Sequence, residues 1–443
     1  MTVRTALAAT AMMGAGLLAV GYAVSSGAVG SGAAGEPPRA EAPAPSAGAA
    51  GRGVNDPLGR DITRLQGVVR DRPTDAGSLA VLGLDYVQQA KITVDPSYYP
   101  KAEQVLAQSL RLQPNANFKA MAGQAALKAA QHDFAAARGW ALRGLTVDPY
   151  SATLYGSLTD AETQLANYPA AFRAAQRMLD LRPGVPSLTR GAYVFELRGQ
   201  LPQARAVLGR ALAAATAPSD IAFIRQISSE LAMGQGDPTT ALREATAGLT
   251  ADPGYSSLLQ SKAKAEAALG RTDDAVRDYD AVVTAVPQPQ YVVEYGEYLD
   301  SLGRHPQARQ QYALFEAENK LFTSNGVTLD TDPTLFYADH GSPASALRYG
   351  RAGLRIRPFQ EMEDAYAWAL HVNGRDAEAL GHVRKAAALG TRNALFAYHA
   401  GVIENALGHK AAAKAALRRS LSIDPYFSPL HVPRARALLA RLK

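Results

Sequence analysis

Between Ala394 and Pro425 apolar residues recur at helical spacing on two short segments. Gly401 lies inside the first, where only a small residue lets another helix come close. Ala413 plays the same part in the second, and Leu417 and Leu421 follow one turn apart as its apolar face. The pattern breaks at Leu407-Gly408-His409, a turn, and stops at Asp424-Pro425, because proline cannot continue a helix cheaply. One such hairpin cannot bury its apolar faces alone, so the pattern predicts neighbours of the same kind.

The chain supplies them. The second-helix alanine recurs at Ala102, Ala137, Ala171, Ala204, Ala241, Ala275, Ala308, Ala346, Ala379 and Ala413, a step of about 34 residues. Two other markers keep phase with it. Closing prolines stand at Pro114, Pro149, Pro183, Pro253, Pro287, Pro358 and Pro425, and turn glycines at Gly199, Gly236, Gly270, Gly303, Gly341, Gly374 and Gly408. The first unit carries an insertion from Ile92 to Pro100, and the ninth closes at Thr391 without proline. The largest break runs from Asn319 to Pro333, where Asn325-Gly326 signals a turn and Asp332-Pro333 a shortened helix to about His340. Ahead of the first unit, Ile62, Leu65, Val68 and Val69 make the stripe of a leading helix that starts near Asp61. After Pro425, Pro433 opens a last helix whose Arg434, Arg436, Arg441 and Lys443 suit a solvent-facing cap.

In the first unit Leu79, Leu82-Gly83 and Tyr86 are followed by Ala102, Leu106 and Pro114. That order resembles the tetratricopeptide repeat: a large residue, Leu-Gly and Tyr in one helix, then Ala, a large residue and a closing Pro in the next. The resemblance implies an all-α superhelical solenoid of about ten tetratricopeptide (TPR) helix hairpins over residues 61–425, with an N-terminal extra helix and a C-terminal capping helix at 426–443. It also implies that first helices line a concave groove and second helices form the back. The overall plan is similar to exported TPR proteins of high-GC Gram-positive bacteria, a resemblance that leaves the function undefined.

The N-terminus bears on location. Arg4 precedes an uncharged run from Thr5 to Val24, and small residues follow at Ser26-Gly27-Ala28 and Ser31-Gly32-Ala33. Residues 1–28 therefore read as a signal peptide or an N-terminal membrane anchor, with the body outside the cytoplasm, secreted or held at the membrane. Residues 29–60, rich in Pro, Ala and Gly, read as a disordered linker. The net charge of +6 is a mild excess in 443 residues and does not argue for nucleic acid. With no cysteine, disulfides and thiolate chemistry are excluded.

No phosphate loop, nucleophile elbow or His-Glu-x-x-His motif is present, so no catalytic residue, cofactor or metal is expected. His132, His305 and His409 fall at inter-helix turns and read as solvated. Asp273, Asp274, Asp278 and Asp280 lie across a helix start, where acids favour the dipole, and Arg348, Arg351 and Arg355 read as a solvated face. What remains is the groove. Its candidate partner-binding residues are Arg190, Tyr193, Glu230, Lys264, Glu297, Asp300, Asp364, Trp368, His371, Tyr398 and Asn405. The expectation is a non-catalytic exported scaffold that grips an extended peptide or protein segment, basic in character, with binding concentrated at Trp368 and Tyr398. A carbohydrate binder or enzyme using that same end, and a self-assembling envelope protein, are the alternatives. For Trp368 and Tyr398, packing between repeats is the competing reading.

Overall fold

The computed structural model describes residues 57–442. The segment read as signal or anchor, and the expected linker up to residue 56, lie outside the described residues. Within them the regular structure is helical. Helix α1 (Pro57–Asp71) leads, beginning four residues ahead of the sequence boundary. Ten hairpins follow: α2 (Ala76–Thr93) with α3 (Tyr98–Leu112), α4 (Phe118–Ala130) with α5 (Phe134–Val147), α6 (Ala152–Gln164) with α7 (Tyr168–Leu181), and α8 (Val185–Leu197) with α9 (Leu201–Ala214). Next come α10 (Pro218–Met233) with α11 (Pro238–Ala251), α12 (Ser256–Ala268) with α13 (Thr272–Ala285), and α14 (Pro289–Ser301) with α15 (His305–Ser324). The last three are α16 (Thr331–Asp339) with α17 (Pro343–Ile356), α18 (Gln360–Val372) with α19 (Asp376–Ala386), and α20 (Ala394–Ala406) with α21 (Lys410–Ile423); α22 (His431–Arg441) ends the chain. No helix among the described residues is long and apolar enough to cross a membrane.

Local chemistry places the helix starts. Asp75, Asn117, Asp133, Asp237 and Asn393 each accept a backbone N–H of the following turn, and proline opens eight of the second and first helices, where its missing donor costs nothing. Each hairpin then reverses through one residue with positive φ. In seven hairpins it is the turn glycine; in the first three the same position is Val94, His132 and Ala166, so three side chains are held in the left-handed region. All ten ladder alanines are sealed from solvent. They sit where two helices of a hairpin touch, and a larger side chain would push the pair apart.

Two sequence boundaries move. Helix α15 continues unbroken through Asn319, which is buried, to Ser324, so the break is confined to residues 325–330; the short helix that follows, α16, matches the shortened one expected. Helix α22 opens at His431, two residues before Pro433. Its charged residues Arg434, Arg436 and Arg441 are exposed, while His431, Val432, Ala435 and Leu438 are buried. The last helix is thus a cap with one docked face.

The superhelix closes on itself. Hydrogen-bond partners 192 to 198 residues apart join inter-helix turns of the first half to inter-repeat loops of the second. The Thr328 N–H donates to the Gln131 carbonyl at 3.1 Å. The Gln360 N–H donates to the Tyr168 hydroxyl at 2.9 Å, and the Thr391 hydroxyl to the Leu197 carbonyl. Farther along, Gly199 faces the Gly390 carbonyl, and Gly236 faces Pro425. The contacts form a seam along which one turn of the solenoid rests on the next.

Candidate functional site

The seam has a charged centre. Arg357 is fully buried in the loop after α17. Its Nη1 donates to both oxygens of Asp330, at 3.0 and 2.9 Å, and its Nε donates to Gln164 Oε1 at 2.6 Å. The guanidinium lies 3.9 Å from the Phe359 ring centroid and 5.2 Å from that of Phe134, favourable stacking for a desolvated cation. His132 Nδ1 completes the set, 3.0 Å from Asp330 Oδ2. Burial alone would raise the Asp330 carboxyl, but Arg357 and His132 together pull it far below the ordinary carboxylate range. His132 is therefore not the solvated turn residue that its position suggested; the closing turn of the superhelix covers it. His305 and His409 are exposed, as expected.

First helices carry a second polar system. Arg190 on α8 is buried against Asp160 on α6 through a bidentate pair, Nε at 2.9 Å and Nη2 at 2.7 Å. Lys91 on α2 lies within electrostatic reach of both, and burial lowers its ammonium to about 8. Beyond them, half-buried Tyr193 and Glu196 on α8 share a field with Glu361 on α18. Burial, with Glu361 second, lifts Glu196 to about 7, and burial lifts Glu230 on α10 to about 8. Glu230 accepts from Gln226 at 2.7 Å on one oxygen, while its Oε2 has no partner. Lys264 on α12 pairs with Glu294 on α14 at 3.3 Å and is raised chiefly by it. Among the described residues, Glu361 Oε2 and the Tyr193 hydroxyl are also buried without a partner. Groups from α8, α10, α12, α14 and α18 that feel one another's charge face a common interior. Tyr193, Glu230 and Lys264, all expected from the sequence, belong to it; Arg190, expected there too, is instead closed off from it in its buried pair with Asp160.

The other expected residues do not join them. Glu297 bonds His340 at the end of α16 at 3.2 Å, and Asp300 accepts from the Tyr312 hydroxyl at 2.7 Å and contacts His305, both on α15, so the two acids tie α14 to its neighbours. His371 bonds Asp376 at the next helix start. Asn405 is half-buried near the end of α20. Asp364 bonds His399, both inside the protein. Trp368 and Tyr398 are 4 % and 3 % exposed. They pack with Leu417, Ala435 and Leu438, and the indole N–H donates to Asp339 at 2.9 Å. The expected hot spot is therefore core: α22 folds over the pair, and both aromatics are consumed in holding the cap. Among the described residues no His, Asp and Glu group is arranged to hold a metal ion.

Lys91, Asp160, Glu294 and the whole seam were not singled out from the sequence. Asp160 and Lys91 left little signal, because each stands on a first helix that carries a second charge, Glu162 and Asp85. Arg357 left none, since Arg357-Pro358 reads like the other closing prolines.

No family model and no curated protein matches the chain. Solved structures do. A tetratricopeptide repeat protein from Parabacteroides merdae is 18% identical over 58% of this chain and 98% of its own, with a TM-score of 0.34. Human IFIT1, solved as a dimer with PPP-AAAA, is 12% identical over 83% of this chain and 94% of its own, with a TM-score of 0.44. The pilF protein of Pseudomonas aeruginosa is 17% identical over 48% of this chain and 93% of its own, with a TM-score of 0.33. The chain's own packing is more telling. Small residues of one helix face large residues of its partner across the hairpins: Gly83 against Leu106, Gly296 against Tyr312, Gly401 against Leu417. The fold is that of the tetratricopeptide-repeat proteins. In this TPR solenoid the first helices carry the polar interior just described, and the sealed seam bounds it on one side.

Proposed function

We propose that this TPR solenoid is a non-catalytic exported scaffold that holds an extended, basic segment of a protein partner against the inner polar face of its first helices. One observation carries the reading: among the described residues Glu230 and Glu361 each keep a buried carboxyl oxygen without a hydrogen-bond partner, as does the hydroxyl of Tyr193 near Glu361, and an arriving cation would favour release of the carboxyl protons. Unpaired buried acceptors are costly, and an ammonium or guanidinium would satisfy them with charge-assisted bonds. The seam bars entry from the side, so the segment enters along the superhelical axis. Arg4, the uncharged run and the small residues after it support export. N-terminal sequencing and protease accessibility of intact cells test that part: a chain that retains Met1 inside the cell would sink it.

The site is tested with an extended lysine-containing peptide and its acetylated analogue, measured by calorimetry. The lysine peptide binds, the acetylated one does not, and Glu230→Gln with Glu361→Gln weakens binding at least about tenfold, the loss expected for charge-assisted bonds. Equal binding of the two peptides would refute the assignment. A pH experiment reports on the same carboxyls in the free protein. A carboxyl raised to about 8 in the folded state binds more protons there than in the unfolded chain. Glu230 therefore makes stability fall as pH rises from about 4 to about 8, and Glu230→Gln makes that decline shallower. An unchanged slope in thermal melts would show that Glu230 is solvated.

A further inference from the structure

A cleft of about 470 Å³ opens on the other side of the hairpins, between α9 and the α10–α11 pair. Its floor is apolar, formed by Leu208, Leu212 and Leu231. Three arginines surround it: Arg205 from α9, Arg225 from α10 and Arg243 from α11. Their negative counterpart is incomplete. Glu244 is shared, contacting Arg225 and lying 3.3 Å from Arg243. Arg205 reaches only the amide oxygen of Gln235. The other acid on the lining, Asp237, caps α11 through the Thr240 N–H. Arg225 Nε is buried with no hydrogen-bond partner among the described residues. Gly209 lies on the wall, and a Cβ added there would meet nothing within 4 Å.

We propose that this cleft is a binding site for an organic anion: a carboxylate or sulfonate carried on an apolar body. The volume falls within the roughly 300–1,000 Å³ of small-molecule pockets, which are mostly apolar with a few placed polar groups. The leucine floor takes the body. The anion completes the coordination of the three guanidiniums, whose planar donors suit a carboxylate or sulfonate better than an ammonium would. The site is separate from the inner polar face, since that face is acidic and lies on the first helices, whereas this cleft is basic and is walled in part by the second helices α9 and α11.

The probe is 8-anilinonaphthalene-1-sulfonate, an anion on an aromatic body whose fluorescence rises in apolar surroundings, titrated against the whole chain. Saturable binding at one site per chain is expected. Arg205→Gln with Arg243→Gln, both at exposed positions, weakens it at least tenfold without altering the fold. Gly209→Phe fills the cleft and abolishes saturable binding, while Gly139→Phe, at another glycine with open space above it, leaves binding intact. Competition separates charge from hydrophobicity: 1-naphthoate displaces the dye and 1-naphthamide does not. Dye binding unaffected by Gly209→Phe, or equal competition by the neutral amide, would overturn the assignment.

Discussion

Replacing Arg357 with methionine lowers the free energy of unfolding by about 3–5 kcal/mol, the usual cost of leaving the partner of a buried ion pair uncompensated. Arg357 is fully buried, and its loss leaves Asp330 without its guanidinium partner and removes the bond to Gln164 Oε1 and the contact with two aromatic faces at once. The buried Asp330 carboxylate is then left uncompensated. The effect should therefore shrink when the carboxylate goes as well: Arg357→Met with Asp330→Asn recovers part of the loss. Urea denaturation followed by circular dichroism gives both values. A single variant within about 1 kcal/mol of the parent, the scale of an exposed ion pair, would mean that the seam is hydrated in solution. The pH dependence has a definite sign. Because the Asp330 carboxyl is depressed in the folded protein, its contribution is complete above about pH 4 and fades only as pH falls toward strong acid.

Gly199→Ala should cost more than Gly270→Ala, and the difference measures the seam. Both glycines turn a hairpin at nearly the same backbone angle, φ +67° and +73°. Each alanine variant meets the left-handed penalty of about 1–2 kcal/mol. At Gly270 a Cβ meets nothing within 4 Å, whereas at Gly199 it would lie 2.4 Å from the Gly390 carbonyl oxygen. That atom is backbone on the facing turn and cannot rotate away. The second variant must therefore separate the two turns or overpack them, at a further cost of about 1–3 kcal/mol. Paired denaturation curves give the energetic difference, and small-angle scattering of Gly199→Ala shows an expanded particle if the turns part. Equal losses in the two variants would place the seam apart in solution.

The hairpins were legible because their cause is local. Three markers repeat in phase, and each answers to a contact inside one hairpin: alanine between two helices, glycine at the reversal, proline past the end. The turns at Val94, His132 and Ala166 carry no glycine and were legible only through the phase of the others. The seam was invisible for the opposite reason. It joins residues 192 to 198 positions apart, and no local period encodes how tightly a superhelix coils. That is why His132 read as solvated and Arg357 went unremarked. Trp368 and Tyr398 fit a recognition surface by type and spacing. The competing packing reading prevailed because Ala435 and Leu438 of α22 pack in one apolar cluster with them. Of the expected residues, Tyr193, Glu230 and Lys264 stand among the polar groups of the first helices; Arg190 is closed in a buried pair with Asp160, and Glu297, Asp300 and His371 found partners on neighbouring elements first.

Open repeat arrays gain and lose units by duplication with little consequence, because each repeat answers only to its neighbours. The seam removes that freedom here. A hairpin inserted or deleted between Gln131 and Thr328 would carry Arg357 past Gln164 and deliver it to a turn that offers no matching acceptor. Surface positions away from the seam are free to change, but the number of hairpins between facing turns is fixed by the contacts that join them.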